Sequence, residues 1–392
     1  MKIRIDSILA SLASCLLLVG CQDVEEPANT IPTVETVAVK EIGMRDAMVY
    51  GTVTTQPTCY FLLSEQPDLA NAKQFDAYSL NEAAGTYEGE LYGLTPGTTY
   101  YVAFCATDGY SEIIGDVVSF KTASCLGIDS VTWPQPGWDE ESTNTPIGTF
   151  IYTVMDDVLH PDYVNLMTSY ANGKWSLPSG YEIGFYNQSK RVYAYYPYNK
   201  EVIGATKIHV NANSEQVLYG QSQDLSEETP NASIVLKHAM ARVVFNIKKS
   251  AEANLDLTIG SVNLRNNYSD DKVNAIRFDG YLNILTGEMT EGEVGFGHDG
   301  LFKECDITLS AEESQTVDYN VIPNSFSKGQ ALLVLYEKGN WSNSFVTYLD
   351  NTTWTAGHSY SYTVTVTPIG LQLGDVRVEE WENNDGGSIT IN

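Results

Sequence analysis

Few residues in this chain combine a reactive side chain with a spacing that points to a reaction, and Cys21 is the first of them. It directly follows Gly20, at the end of the apolar run Ile8 to Val19, and that run follows the basic start Met1-Lys2-Ile3-Arg4. A thiol at the end of such a run belongs to an export signal and its junction, not to a folded catalytic site. The histidines, His160, His209, His238, His298 and His358, are scattered singly. A catalytic imidazole needs a nucleophile or carboxylate partner, and the sequence offers none beside them. No His-x-His, His-Glu-x-x-His or Cys-x-x-Cys spacing occurs, and neither does a Gly-x-Ser-x-Gly elbow, so no metal site and no nucleophile are expected. The acidic pairs Asp156-Asp157 and Asp270-Asp271 would face opposite ways on a strand, which favours solvated loop charges over acid–base or calcium roles. Tyr193, Tyr195, Tyr196 and Tyr198 could offer a platform for sugar rings. Alternation instead puts Tyr193 and Tyr195 on one face and Tyr196 and Tyr198 near the other, with Pro197 ending the strand, which fits core and edge. The chain reads as a protein without a catalytic centre and without a cofactor.

The start of the chain sets its expected compartment. About 12 apolar residues are too few to span a bilayer as a helix, so residues 1–20 read as an export signal. The Gly20-Cys21 junction resembles the bacterial lipobox, which implies cleavage before Cys21 and lipidation of its thiol. Two lipid attachments suffice for stable anchoring, so the resemblance implies an outer-membrane lipoprotein. Residues 21–30 are polar, acidic and proline-bearing, a flexible tether that cannot bury a core. They also resemble the acidic tag with which Bacteroidetes direct lipoproteins to the outer face of the outer membrane.

Of 22 basic and 50 acidic side chains, the export signal holds Lys2, Arg4 and Asp6, leaving 20 against 49 and a net charge of −29. Such a surface repels phosphate backbones, so nucleic acid is excluded as a partner. Cys59, Cys105, Cys125 and Cys305 remain in the exported part, too sparse and widely spaced for a disulfide scaffold or zinc site.

The elements that must carry these residues are strands. Ala47 to Val53, Thr99 to Ala106, Val192 to Tyr196, Ile234 to Ile247 and Tyr360 to Val366 alternate in polarity or run apolar, with Gly, Asn, Asp and Pro between them. Tyr, Val, Ile and Thr are frequent and the helical period is almost absent, so the expected fold class is all-β. Ile234 to Ile247 is expected as a strand pair or one bent strand.

Leu94-Thr95-Pro96-Gly97-Thr98-Thr99-Tyr100 resembles the Leu-x-Pro-x-Thr-x-Tyr junction of fibronectin type III sandwiches, and Gly115 to Thr122 resembles their closing strand. The resemblance covers residues 31–123 and implies a tyrosine corner at Tyr100, with Val102, Phe104 and Ala106 inward and Tyr101, Ala103 and Cys105 outward. It also implies that the strands near Cys59 and Cys105 are neighbours. A disulfide between them and two free thiols both fit that arrangement.

Beyond Ser124-Cys125 the pattern changes. Gly173-Lys174-Trp175, then Tyr193 to Tyr198, then Leu236 to Ile247, then Trp354 to Val366 and a late Trp381 follow one another. Their order resembles the fimbrillin family of Bacteroidales. The resemblance implies two tandem transthyretin-like β-sandwiches, residues 124–230 and 231–392, with a junction near the turn-rich Pro230. It implies assembly with other fimbrial subunits by strand exchange, after proteolysis behind an arginine removes a subunit's own edge strand. Here no arginine stands between Arg45 and Arg191, and Lys121 is the basic residue near the junction. The expectation is therefore a surface fimbrial component in an accessory, anchor or tip (adhesin) position, meeting a host or bacterial surface protein or glycan. The alternative is a monomeric surface lipoprotein that binds glycans. Asp129-Ser130-Val131 resembles a short O-glycosylation acceptor of exported Bacteroidetes proteins, a weak signal at three residues.

Overall fold

The computed structural model describes residues 33–55, 58–134, 145–202, 206–212, 216–253, 257–267, 275–291 and 300–381. Gly20, Cys21, the tether, Asp270-Asp271 and His298 lie outside them. The described chain is all-β, with a single short 3-10 turn at Glu82–Ala84. It divides into two compact units, one within residues 33–120 and the other mainly from Lys121 onward, the latter also taking in Ile42–Arg45 and Gly93–Thr98.

In the first unit, one sheet orders Val34–Lys40, Asp46–Val53, Thr86–Tyr92 and Tyr78–Asn81, and the other orders Lys73–Asp76, Thr58–Ser64, Thr99–Thr107 and Glu112–Ile114. Strict alternation in Asp46–Val53 buries Ala47, Val49 and Val53 and half-exposes the residues between them. Phe61 and Phe104, directly opposite in the second sheet, meet at 4.9 Å between ring centroids. The first sheet makes room for Phe104 at Gly51, where a Cβ would come within 2.3 Å of the ring. Thr36 Oγ1 accepts from the Phe104 N–H at 2.8 Å, a buried polar bond from one sheet to the other.

Val102, Phe104 and Ala106 are buried, as their inward alternation requires. Ala103 and Cys105, expected outward, are buried too. They form a small second cluster with Tyr60, against which Leu62 and Leu69 pack. The face opposite the core is therefore covered locally by the chain itself. Tyr100 opens the strand Thr99–Thr107, is buried, and stacks on Phe120 at 5.9 Å.

The second unit begins with a seven-stranded sheet in the order Gly127–Thr132, Asn231–His238, Leu218–Gln221, Ser189–Tyr196, Ile147–Met155, Val158–Ala171, Lys174–Ser176. Its two terminal strands lie against each other, so the sheet curls nearly closed. Asp156 and Asp157 form the exposed hairpin turn of Ile147–Met155 and Val158–Ala171, both at positive φ (49° and 61°). A primed two-residue turn requires that conformation, and aspartate tolerates it.

Both faces of the central strands are buried. Phe150, Tyr152, Tyr193 and Tyr195 join one core, while Ile147, Ile151, Val192, Ala194 and Tyr196 join another with Trp133 and Trp175. A platform of these tyrosines for sugar is thereby ruled out, since Tyr193, Tyr195 and Tyr196 are all buried.

The first of those cores continues into the last sandwich. One of its sheets orders Gln315–Val321, Ala241–Lys249, His358–Thr367 and Gly370–Glu380. The other orders Leu301–Thr308, Thr258–Asn266, Ala331–Glu337 and Asn340–Tyr348. Val243, Phe245, Tyr319, Leu333, Trp354 and Tyr362 fill the space between them. Ile234 to Ile247 is a strand pair, not one bent strand: Asn231–His238 stays in the seven-stranded sheet and Ala241–Lys249 opens the next. The chain thus passes between sheets at Ala239 and Met240, one strand later than the junction expected near Pro230.

Candidate functional site

The features with functional content in this fold are strand edges and the residues that hold them. The first edge is Gly127–Thr132. It pairs in parallel with Asn231–His238, Gly127 opposite Asn231 and Thr132 opposite Val235, with a bulge between Ile128 and Ser130. Leu126, Ile128, Val131 and Trp133 are all buried in the adjoining core. Trp133 meets Tyr196 edge-on at 5.1 Å. The Leu126 N–H donates to Ile183 O at 2.8 Å, and the Gly127 N–H to Pro230 O at 3.1 Å. Four side chains of this kind stabilise by about 1.5–3 kcal/mol each on burial, so the segment is an integral part of the sheet.

The second edge is Gly370–Glu380. It pairs with His358–Thr367 and ends its sheet. Its side chains are mostly exposed or half-exposed, and it lies beside Asn340–Tyr348, the end strand of the opposite sheet. Immediately after it, Trp381 turns inward. Its backbone N–H donates to Gly357 O at 2.7 Å and its indole stacks on His238, centroids 4.0 Å apart. His238 closes Asn231–His238, is buried, and accepts from the Gln216 side-chain amide. Burial pushes the imidazole down to about 4, so it is neutral at physiological pH.

A buried polar group lies on the seven-stranded sheet. Lys190 Nζ donates to Asp162 Oδ2 at 2.7 Å and to Thr153 Oγ1 at 2.9 Å, and that hydroxyl donates to the same carboxylate oxygen at 2.6 Å. The three residues come from adjacent strands, and nothing in their sequence separation announces the meeting.

Among the described residues, no group of three or more His, Cys, Asp and Glu side chains is placed to hold a metal ion. His160 is exposed, His209 pairs with Asp279 at 3.1 Å, and His358 Nδ1 lies 3.0 Å from Ala356 O. No helix of the described chain is long and apolar enough to cross a membrane. Neither Cys59 nor Cys105 is in a disulfide. Cys59 stands opposite Ala106 and Tyr60 opposite Cys105, so the two thiols point to opposite faces of one sheet and form no disulfide.

The sequence profile of the fimbrillin-like family matches residues 137–381. That is well over half of the chain. The chain belongs to the fimbrillin-like family. No curated protein matches it. Among solved structures, a candidate cell-adhesion protein from Bacteroides uniformis is similar at 19% identity, with a TM-score of 0.47, over 66% of this chain and 98% of the other. A second such protein, from Bacteroides ovatus, is similar at 17% identity and a TM-score of 0.48, over 67% of this chain and all of the other.

Sequence reasoning placed His238 in a strand and marked the late Trp381, but did not bring them together. It missed Gln216, Lys190 and Asp162. The signal for the lysine was its place on one face of the strand Ser189–Tyr196 with Val192, Ala194 and Tyr196, where an unpaired charge would be costly.

Proposed function

We propose that this fimbrillin-like chain is a lipid-anchored surface component of a fimbrial assembly, in an anchor, accessory or tip position and not a repeating stalk position. The observation that carries the reading is the edge strand Gly127–Thr132, built into the sheet by Leu126, Ile128, Val131 and Trp133 and preceded by no arginine after Arg45. A stalk subunit must lose such a strand to open a groove for its neighbour. A chain that keeps the strand closes that acceptor and can only end or side-decorate a filament. The second edge, Gly370–Glu380, has no ladder partner on its outer side among the described residues, and it is the natural place for an augmenting strand.

Cys21 holds the chain at the outer membrane in this reading, through residues 21–30, and the unit within residues 31–123, fibronectin type III-like in its resemblance, is a spacer. The test is mass spectrometry of the chain recovered from surface filaments, with immuno-electron microscopy of intact cells and a Cys21→Ala control. A mature chain starting at Cys21, with label at filament ends or bases, is the expected result. A mature N-terminus between residues 125 and 190 would make it a stalk subunit and overturn the proposal.

A further inference from the structure

A row of side chains crosses the outer face of the first unit's four-stranded sheet. Ala38 stands opposite Tyr50, Tyr50 opposite Glu88, and Glu88 opposite Tyr78, in four adjoining strands. Residues directly opposite share a face, and the other face of these strands takes Ala47, Val49 and Leu91 into the core. Two positions along, Lys40 stands opposite Met48 and Met48 opposite Glu90, on the same outer face. Tyr78 is 62% exposed, Glu90 is exposed, and Tyr50 and Glu88 are half-exposed. A carboxylate thus sits between two tyrosines, with a second carboxylate beside it on its own strand.

The face already holds one ammonium. Lys40 Nζ lies over the Tyr50 ring, 5.2 Å from its centroid. Among the described residues, the ring of Tyr78 carries no such cation, and neither Glu88 nor Glu90 is ion-paired. Glu35, opposite Thr52, and Asp46, opposite Tyr92, belong to the same face by register. Four carboxylates therefore share it with a single lysine, and that lysine lies on a tyrosine.

Charge complementarity selects a cationic occupant and disfavours an anionic one. A cation placed between Glu88 and Tyr78 meets a carboxylate and a ring face together, which suits the ammonium of lysine or the guanidinium of arginine. The spacing selects an extended occupant. Glu88 and Glu90 are two positions apart on one strand, about 7 Å, and alternate side chains of any extended backbone repeat at that distance.

We propose that Tyr50, Tyr78, Glu88 and Glu90 form a docking face for an extended protein segment with lysine or arginine at alternate positions. The face gives the first unit a binding role besides that of a spacer, and it does not depend on the filament position proposed above. The test is fluorescence anisotropy of purified residues 22–392 with a labelled peptide that alternates lysine and threonine and carries four lysines. Binding at low salt that weakens at high salt is expected. Glu88→Gln with Glu90→Gln should weaken it about fivefold, the scale of two exposed ion pairs. Tyr78→Ala should weaken it about threefold, and Tyr78→Phe, which keeps the ring, should retain most of it. Glu312→Gln with Glu313→Gln removes the same charge from exposed positions of the second unit and should change nothing. A peptide of equal charge with lysine at every third position should bind more weakly. An unchanged melting temperature in each variant separates loss of the face from loss of the fold. No binding of the alternating peptide would overturn the proposal. So would equal affinity for the two peptides, or an equal loss from the two glutamate pairs, which would reduce the effect to net charge.

Discussion

The indole of Trp381 lies flat on the imidazole of His238, with ring centroids 4.0 Å apart and planes 3° from parallel. The contact fastens the end of Gly370–Glu380 to the last residue of a strand in another sheet, across 143 positions of sequence. Burial favours the neutral imidazole here, and its hydrogen-bond partner is the neutral amide of Gln216.

The pH dependence follows with a definite sign. His238 is held at about 4 by burial, against an ordinary value near 6.5. The unfolded chain therefore binds a proton between these values that the folded chain does not. The contribution of the neutral residue is fully present above about 6.5 and is lost as pH falls toward 4. Its size is about 3 kcal/mol for a shift of this extent. Urea unfolding between pH 7 and pH 4.5 should show a steeper loss of stability in the native chain than in His238→Phe. Equal slopes would mean the imidazole is not held neutral by the fold.

The strands were legible because half-buried strands alternate, as Asp46–Val53 does. In Ser189–Tyr196 both faces are covered, so alternation disappears and only length and β-branched or aromatic content mark the strand. The site was less legible. His238 and Trp381, or Gly127–Thr132 and Asn231–His238, meet through long-range pairing, and no local spacing encodes a parallel partner a hundred residues away. Tyr50, Glu88 and Tyr78 come together for the same reason, so their row had no sequence signal beyond the presence of its residues.

Gly148 is opposite Tyr195 in the ladder, and a Cβ there would lie 2.0 Å from the tyrosine ring. The ring cannot swing away. It is fully buried, its hydroxyl donates to Asn165 Oδ1 at 2.7 Å, and it accepts from the Asn199 N–H at 3.0 Å. Gly148→Ala should therefore destabilise by about 2 kcal/mol, as overpacking does. Denaturant melts of Gly148→Ala alone and with Tyr195→Phe distinguish the causes. A cost that persists in the double variant comes from the ring, and relief would assign it to the hydroxyl network.

Cys59 and Cys105 should form no bridge with each other even under oxidising conditions, because their register points them apart. Burial pushes the Cys105 thiol up to about 11 and the Cys59 thiol upward as well. Both remain protonated at neutral pH and react slowly, since the thiolate is the nucleophile. Purified residues 22–392, unfolded without reductant, should titrate four thiols with a disulfide reagent: Cys59, Cys105, Cys125 and Cys305. A count of two would place a bridge where the register forbids one.

Lys190 and Asp162 give the sharpest test of the seven-stranded sheet. The lysine side chain is 6% exposed, so removing its partner leaves a charge with little access to water. Asp162→Ala should cost about 3 kcal/mol, less whatever Thr153 and the partly exposed aspartate position recover. Replacing both partners, Lys190→Met with Asp162→Leu, removes the charge together with the need to satisfy it. The double variant should lie within about 1 kcal/mol of the native chain, since hydrophobic replacement of buried pairs is often neutral. A double-mutant cycle in urea measures the difference directly. If the double variant is as unstable as Asp162→Ala, the lysine stem and not its charge is what the sheet requires.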